Sequence, residues 1–341
     1  MTDYHYARKR RQASYCKEAT WAAATGMAEA GVAGLVPGVN IKWNTVPKMT
    51  KIPRHAATHN DLNSQGWYDG LEVLTGSFSL EMIHSAFIYF ALGGCTTVDN
   101  SPSGYNTHNF SESLLLTYPS FVLERALRHT GNIVHNYIGC KVKQLSIEVT
   151  KNEAIKNTVE IIGKKTLPNQ TLETLSDNTT VPYRWYMHRV YFDLANSGAY
   201  TSGTELKGIQ SANYQIINSI PDSARCDSDS GGNYIAEPLI TGRDYKAQIV
   251  HQLRNNDFMD ALIDSTLFGM RMLIVRDADN DFVELTWENC TIEEKPQSDD
   301  PDSEEVVEET LNINMEKLQA ADDPRTNNRA VDSFTDDYYE T

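Results

Sequence analysis

The feature that most constrains this chain is a strict period of two near its middle. Leu145, Ile147 and Val149 alternate with Ser146 and Glu148, a polar run follows over 150–153, and Val159 and Ile161 then alternate with Thr158 and Glu160. Side chains of a strand point to opposite faces in turn, so the pattern describes two half-buried antiparallel strands joined by a short loop. Tyr245, Ala247, Ile249 and His251 repeat the alternation, as do Leu311, Ile313 and Met315. The runs 272–275 and 282–287 flank a charged tip at 277–281 and read as another hairpin.

Residues 22–30 offer one turn or two of helix, which Gly31, Gly34 and Gly38 interrupt, and helical spacing is sustained in two other places. In 80–92 the apolar residues Met82, Ile83, Ala86, Phe87, Phe90 and Ala91 recur every three or four positions, and Gly93-Gly94 supplies a stop. Residues 258–267 fit a second short helix with Asp257 placed to cap it. Hairpin-linked strands with one or two short helices predict a mainly β fold, an antiparallel β-sandwich or partly open barrel. The expected division is an N-terminal arm and loops over 1–66, the β-sandwich domain over 67–320, and a flexible acidic tail over 321–341.

Charge narrows the partners. Of the formal net charge of −16, the last 51 residues carry −12, from 16 Asp/Glu against four Lys/Arg. The remaining 30 acidic and 26 basic residues nearly cancel, so no basic groove for tight nucleic-acid binding is expected. The cluster at Arg8, Lys9, Arg10 and Arg11 reads as a solvated arm. No run of 18 apolar residues occurs, so no membrane-inserted helix is expected. Five widely spaced cysteines (Cys16, Cys95, Cys140, Cys226, Cys290) without a CxxC argue for reduced thiols, neither disulfide scaffold nor zinc knuckle.

Three segments imitate active sites. Asp229-Ser230-Gly231-Gly232 copies a serine-protease core, but Ser228 replaces the preceding glycine and no apolar strand leads to His59. His55 and His59 have metal-pair spacing, but Ala56 stands where the catalytic glutamate of HExxH would be. Asp277, Asp279, Asp281 and Glu288 have EF-hand spacing, but Phe282 occupies the position that needs glycine. Loop tips and a charged hairpin explain all three, so no catalytic, cofactor-binding or metal-binding residue is expected.

One block carries a resemblance. It contains Pro119, Ser120, Phe121 and Glu124, then Tyr137, Gly139, Cys140, Lys141 and Val142, and after the two alternating strands Gly163, Lys164 and Lys165. It resembles the tail tube (major tail) proteins of tailed bacteriophages and related archaeal viruses. The likeness covers about 80–165 well and 205–290 loosely. It implies a non-enzymatic virion protein that self-assembles into stacked, six-membered rings, each subunit contributing strands to a ring-wide barrel. One sheet face would line the channel through which viral DNA passes without specific binding. Implied partners are the chain itself, a tail terminator, a baseplate or tip, a tape measure and, in a contractile tail, a sheath. The implied location is the virion tail, after assembly in the host cytoplasm. Loops over 165–182 and 221–238 and the two termini would make contacts between rings. The competing reading is a virion-surface β-sandwich that binds carbohydrate or a receptor through exposed aromatics. Against it, Trp185, Tyr186, Tyr191 and Trp287 lie in strand-like runs, where a core role is expected.

Overall fold

The structure, a computed structural model, describes residues 11–23, 46–53, 67–99, 106–113, 118–127, 133–172, 181–197, 200, 205–221, 234–252, 267–277, 281–294, 308–318 and 327–330. The strands are β1 (Arg11–Lys17), β2 (Val46–Pro53), β3 (Trp67–Glu81), β4 (Gly93–Asp99), β5 (Asn106–Glu112), β6 (Phe121–Leu127), β7 (Ile133–Thr150) and β8 (Lys156–Gly163). They continue as β9 (Lys165–Pro168), β10 (His188–Asp193), β11 (Ile209–Ser219), β12 (Gly242–Gln252), β13 (Phe268–Asp277), β14 (Asp281–Glu294), β15 (Glu308–Leu318) and β16 (Asn327–Ala330). Among the described residues one helix, α1 (Ala86–Leu92), and a 3-10 turn, Trp185–Met187, interrupt them. The fold is mainly β, as the alternation predicts, and among the described residues its sheet does not close: β2 and β4 end the ordered path.

The main path runs β2-β3-β8-β7-β11-β12-β15-β14-β16-β5-β4, and every pairing is antiparallel. The two alternating strands of the sequence are the second half of β7 and all of β8, with Leu145 opposite Val159. Registers carry one apolar row across the sheet, through Leu80, Ile147, Tyr214, Ala247 and Ile313. In that row the polar side chain of Asn157 sits opposite both Leu80 and Ile147 and is buried. The path curls back over itself. Trp287 of β14 stacks on Tyr214 of β11 with centroids 5.8 Å apart, although β12 and β15 separate these strands in the sheet. His188 of β10 closes the same layer by bonding Tyr214 Oη at 2.8 Å. The result is a two-layered core of the sandwich type.

The helix starts later than its periodicity suggests. Leu80 and Glu81 still pair with β8, opposite Asn157 and Lys156. His84 Nδ1 then accepts the N–H of Ala86 at 3.2 Å, in place of a cap from Ser85. All seven helical residues are buried. The chain leaves at Gly93, whose φ of 93° is left-handed. The last carbonyls of α1 are bonded by side chains of the main sheet: Arg243 Nη2 and Asn218 Nδ2 each donate to Ala91 O at 3.0 Å.

Several segments differ from expectation. Within 1–66, β1 pairs along its length with β6 and β2 pairs with β3. Tyr15, Ala13 and Cys16 are buried, which is why this segment shows no alternation: both faces of β1 are covered. Lys165–Pro168, read as part of a loop, is the strand β9 on β7. Asn327–Ala330, within the segment read as a flexible tail, is a strand between β5 and β14. Tyr186, assigned to the core, is 64 % exposed, because it lies in the 3-10 turn; Trp287 is fully buried as expected. The 258–266 part of the second expected helix, His55, His59, Cys226 and the 229–232 run lie outside the described residues.

Candidate assembly site at the β7 corner

β7 is 18 residues long and serves two sheets. Its first half pairs with β6 and β9, its second half with β8 and β11. The change of partner falls at Gly139, where φ is +68°. A strand that passes from one layer to the other needs a local break in its pleat, and a left-handed residue supplies it. The neighbouring strand turns at the same place: Gly163 ends β8, Lys164 donates its N–H to Ile138 O at 3.0 Å, and β9 begins at Lys165 opposite Ile138. The two glycine motifs singled out in the sequence are therefore the two sides of one corner.

The corner is closed by a segment that follows β1. Glu18, 4 % exposed, accepts the N–H of Gly139 through Oε1 at 2.9 Å. Its Oε2 accepts Ser120 Oγ at 2.5 Å and the N–H of Ala22 at 3.0 Å. The backbone reciprocates, with Glu18 N–H donating to Ser120 O at 2.9 Å. Trp21 Nε1 donates to Gly139 O at 3.2 Å, and Lys164 Nζ lies 4.8 Å over the Trp21 ring. Space is tight on both glycines. A Cβ on Gly139 would meet Trp21 Nε1 at 3.0 Å and Ala22 Cβ at 3.1 Å, and one on Gly163 would meet Leu74 Cδ2 at 2.8 Å.

Lys141 extends the corner on the other side. Its side chain is fully buried, and Nζ donates to Glu237 Oε1 at 2.6 Å and to Pro238 O at 3.2 Å. Burial lowers the Lys141 pKa and raises that of Glu18; each carries an opposing contribution from the other's charge. Lys165 Nζ lies 5.2 Å over Tyr234, and the adjacent Ile235 packs with Tyr118, Ile162, Ile220 and Ile240. Residues 234–238 are thus fastened to the corner.

The other motif residues fall around the same place. Phe121 is fully buried among Phe87 and Phe90, with ring centroids 5.8 and 4.8 Å away, and Tyr137 is buried opposite Leu123. Glu124 is buried on β6, in register with Ser14 and Asn136, and Pro119 is half-buried. Cys140 is buried and its Sγ contacts Tyr137 O at 3.4 Å. The structure brings together Ser120, Gly139, Lys141 and Lys164 around Glu18 and Trp21; Phe121 and Tyr137 face the core instead. Sequence reasoning missed Glu18, Trp21, Tyr234 and Glu237, because their partners lie far away in the chain. Glu18 reaches Ser120 across 102 positions and Gly139 across 121.

Chemically this arrangement holds backbone. The Glu18 carboxylate is occupied by two N–H groups and a hydroxyl, and burial pushes the Cys140 thiol well above its ordinary pKa. Among the described residues no group of three His, Cys, Asp or Glu could hold a metal ion. Among them, too, no helix is long and apolar enough to cross a membrane.

A curled antiparallel sheet, with buried polar residues holding a strand corner, defines a mainly β protein of the sandwich class. No curated protein matches the chain. The model of the phage tail tube protein family matches residues 9–315, and the chain belongs to that family. The family is structural, not an enzyme family, and its place is the virion tail.

Proposed function

We propose that the protein assembles into stacked rings of six subunits that form the channel for genome delivery, with the outer face of the main sheet lining it. The observation that carries this reading is one polar row in register across seven strands. Ser79, Thr158, Ser146, Gln215, Lys246, Asn314 and Thr291 lie opposite one another from β3 to β14, all on the face away from the core. The flanking rows add Asn213, Gln248 and Asn312, with acidic Glu148, Glu160 and Asp244 against Lys156. Several members bond one another, as Ser79 Oγ with Thr158 Oγ1 at 2.8 Å and Gln248 Nε2 with Asn312 Oδ1 at 3.0 Å.

Such a face suits a moving polyanion. Hydroxyls and amides keep it hydrated, and a slight acidic excess repels phosphate, so DNA is neither captured nor bound in sequence. Among the described residues β2 and β4 are the edges of the path, where a neighbour could add a strand, and a ring closes by repeating one heterologous contact. Assembly in the host cytoplasm, with a terminator, a baseplate or tip, a tape measure and any sheath as partners, follows from the same reading.

Electron microscopy of the purified chain over a range of concentrations tests it. Rings or tubes with an open lumen are expected; a monomer that persists at the highest concentration overturns the reading.

A further inference from the structure

The two ends of the main sheet differ in kind. At one end, where β11 begins and β12 finishes, a cavity of about 330 Å³ opens among Val149, Trp185, Tyr186, Leu206 and Ile209. The exposed ring of Tyr186 stands edge-on to Trp185, with centroids 6.2 Å apart. Lys151 and Lys207 line the cavity too, and both are exposed. Lys207 pairs with Glu205 so that the cation faces water: its side chain is 60 % exposed, against 16 % for the carboxylate.

The other end of the same strands reverses these features. Thr241 donates its N–H to Ser219 O at 2.9 Å where β11 finishes, and Leu239, just before it, is an exposed apolar side chain. The eleven residues of β11 set the two ends roughly 33 Å apart. Here the ion pairs turn their acidic member outward. Glu237 is 32 % exposed over a fully buried Lys141, and Glu112 is 37 % exposed over an Arg243 at 6 %. The nearby cations Lys164 and Lys165 lie over the rings of Trp21 and Tyr234. One end thus offers an apolar hollow beside outward lysines, the other an apolar knob beside outward carboxylates.

We infer that the Leu239 end of one subunit seats in the Trp185–Tyr186 cavity of a subunit in the next ring. Leu239 meets the aromatic rings, and Glu237 and Glu112 face Lys151 and Lys207. The two surfaces differ, so the contact is heterologous, and repeated from ring to ring it runs on as an open stack. Each contact covers apolar side chains that a lone subunit leaves in water. The opposite outward charges fix the polarity of the stack, because a ring turned over would set lysine against lysine. This pairing of surfaces rests on the stacked-ring reading and gives the stack its direction.

Photo-crosslinking in the full chain tests the contact, with benzoylphenylalanine in place of Leu239. Isotope-labelled and unlabelled chains are mixed, assembled and irradiated, and adducts are mapped by mass spectrometry. The expected adducts join chains of different isotope, on peptides carrying Lys151, Trp185–Tyr186 or Lys207. Adducts confined to other surfaces overturn it and leave the cavity to a partner other than this chain. Leu239→Asp and Tyr186→Ala, each with its fold checked by circular dichroism, should lower the yield of tubes roughly tenfold while single rings persist. Tubes at the parental yield, or loss of the rings themselves, overturn the inference. A parent chain that forms no rings removes the stacked-ring reading, and this contact with it.

Discussion

Gly139 donates its N–H to Glu18 Oε1 at 2.9 Å, joining residues 121 positions apart at the point where β7 changes sheets. A strand corner leaves backbone groups without ladder partners, and in a buried setting each must find another. Here one carboxylate serves the corner of β7, the approach to β6 and the turn after β1. Hydrogen bonds to a charged acceptor are worth about 1.5–3 kcal/mol each, and losing the acceptor strands its donors. Glu18→Ala should therefore cost about 3 kcal/mol, read as a lower denaturant midpoint. A loss below about 1 kcal/mol would show that the corner holds without the carboxylate.

Gly139 itself is required twice, by its left-handed backbone and by its close neighbours. A left-handed conformation costs a residue with Cβ about 1–2 kcal/mol before any clash is counted. Gly139→Ala should destabilise by about 2 kcal/mol and Gly139→Val by more, with loss of assembly. Gly242 is the control: it has no positive φ, and a Cβ there meets Ser219 only at 3.7 Å. Gly242→Ala should be within about 0.5 kcal/mol of the parent. Equal effects at the two positions would contradict the assignment.

Stability should fall in mild acid. Burial lowers the pKa of His84 to about 4, with the charge of Arg276 adding to it. Burial also lowers His108 to about 4 and His188 to about 3. The fold holds these rings neutral while the unfolded chain protonates them near 6.5, so stability present above 6.5 is lost progressively as pH falls towards 4. For His84 alone the loss approaches about 3 kcal/mol. Glu18 works the other way, since burial raises its pKa and its protonation favours the fold. Urea unfolding followed from pH 7 to 4 should show a declining midpoint; a flat profile would mean that the histidines are not held neutral.

The thiols should be inert in the native protein. Burial raises Cys16, Cys95 and Cys290 to a pKa of about 12, and Cys140 well above its ordinary value. Reaction needs the thiolate and access to it. A thiol reagent at pH 7.5 should label no more than one cysteine, Cys226, until denaturant is added. Rapid labelling of Cys16 or Cys140 in the native protein would show that the corner opens.

What the sequence shows of this fold follows from how each strand is covered. The second half of β7, with β8, β12 and β15, has one face in the core and one in water, so Leu145, Val159, Ile249 and Ile313 mark it by alternation. β1 is covered on both faces by Tyr15 and Cys16, and α1 is buried all round, so period betrays neither boundary. The corner was legible only in part. Gly139 and Gly163 stand in recognisable motifs, but Glu18 and Trp21 look like any polar turn until the chain is folded. Contacts closed over a hundred positions leave no local pattern to read.

The most direct test of the central claim is a cryo-electron microscopy reconstruction of the assembled protein. The account predicts a tube whose lumen is lined by Gln215, Lys246 and Asn314 and their neighbours, with the Glu18–Gly139 corner intact in every subunit. A tube with that face turned outward, or with a basic lumen, would contradict it.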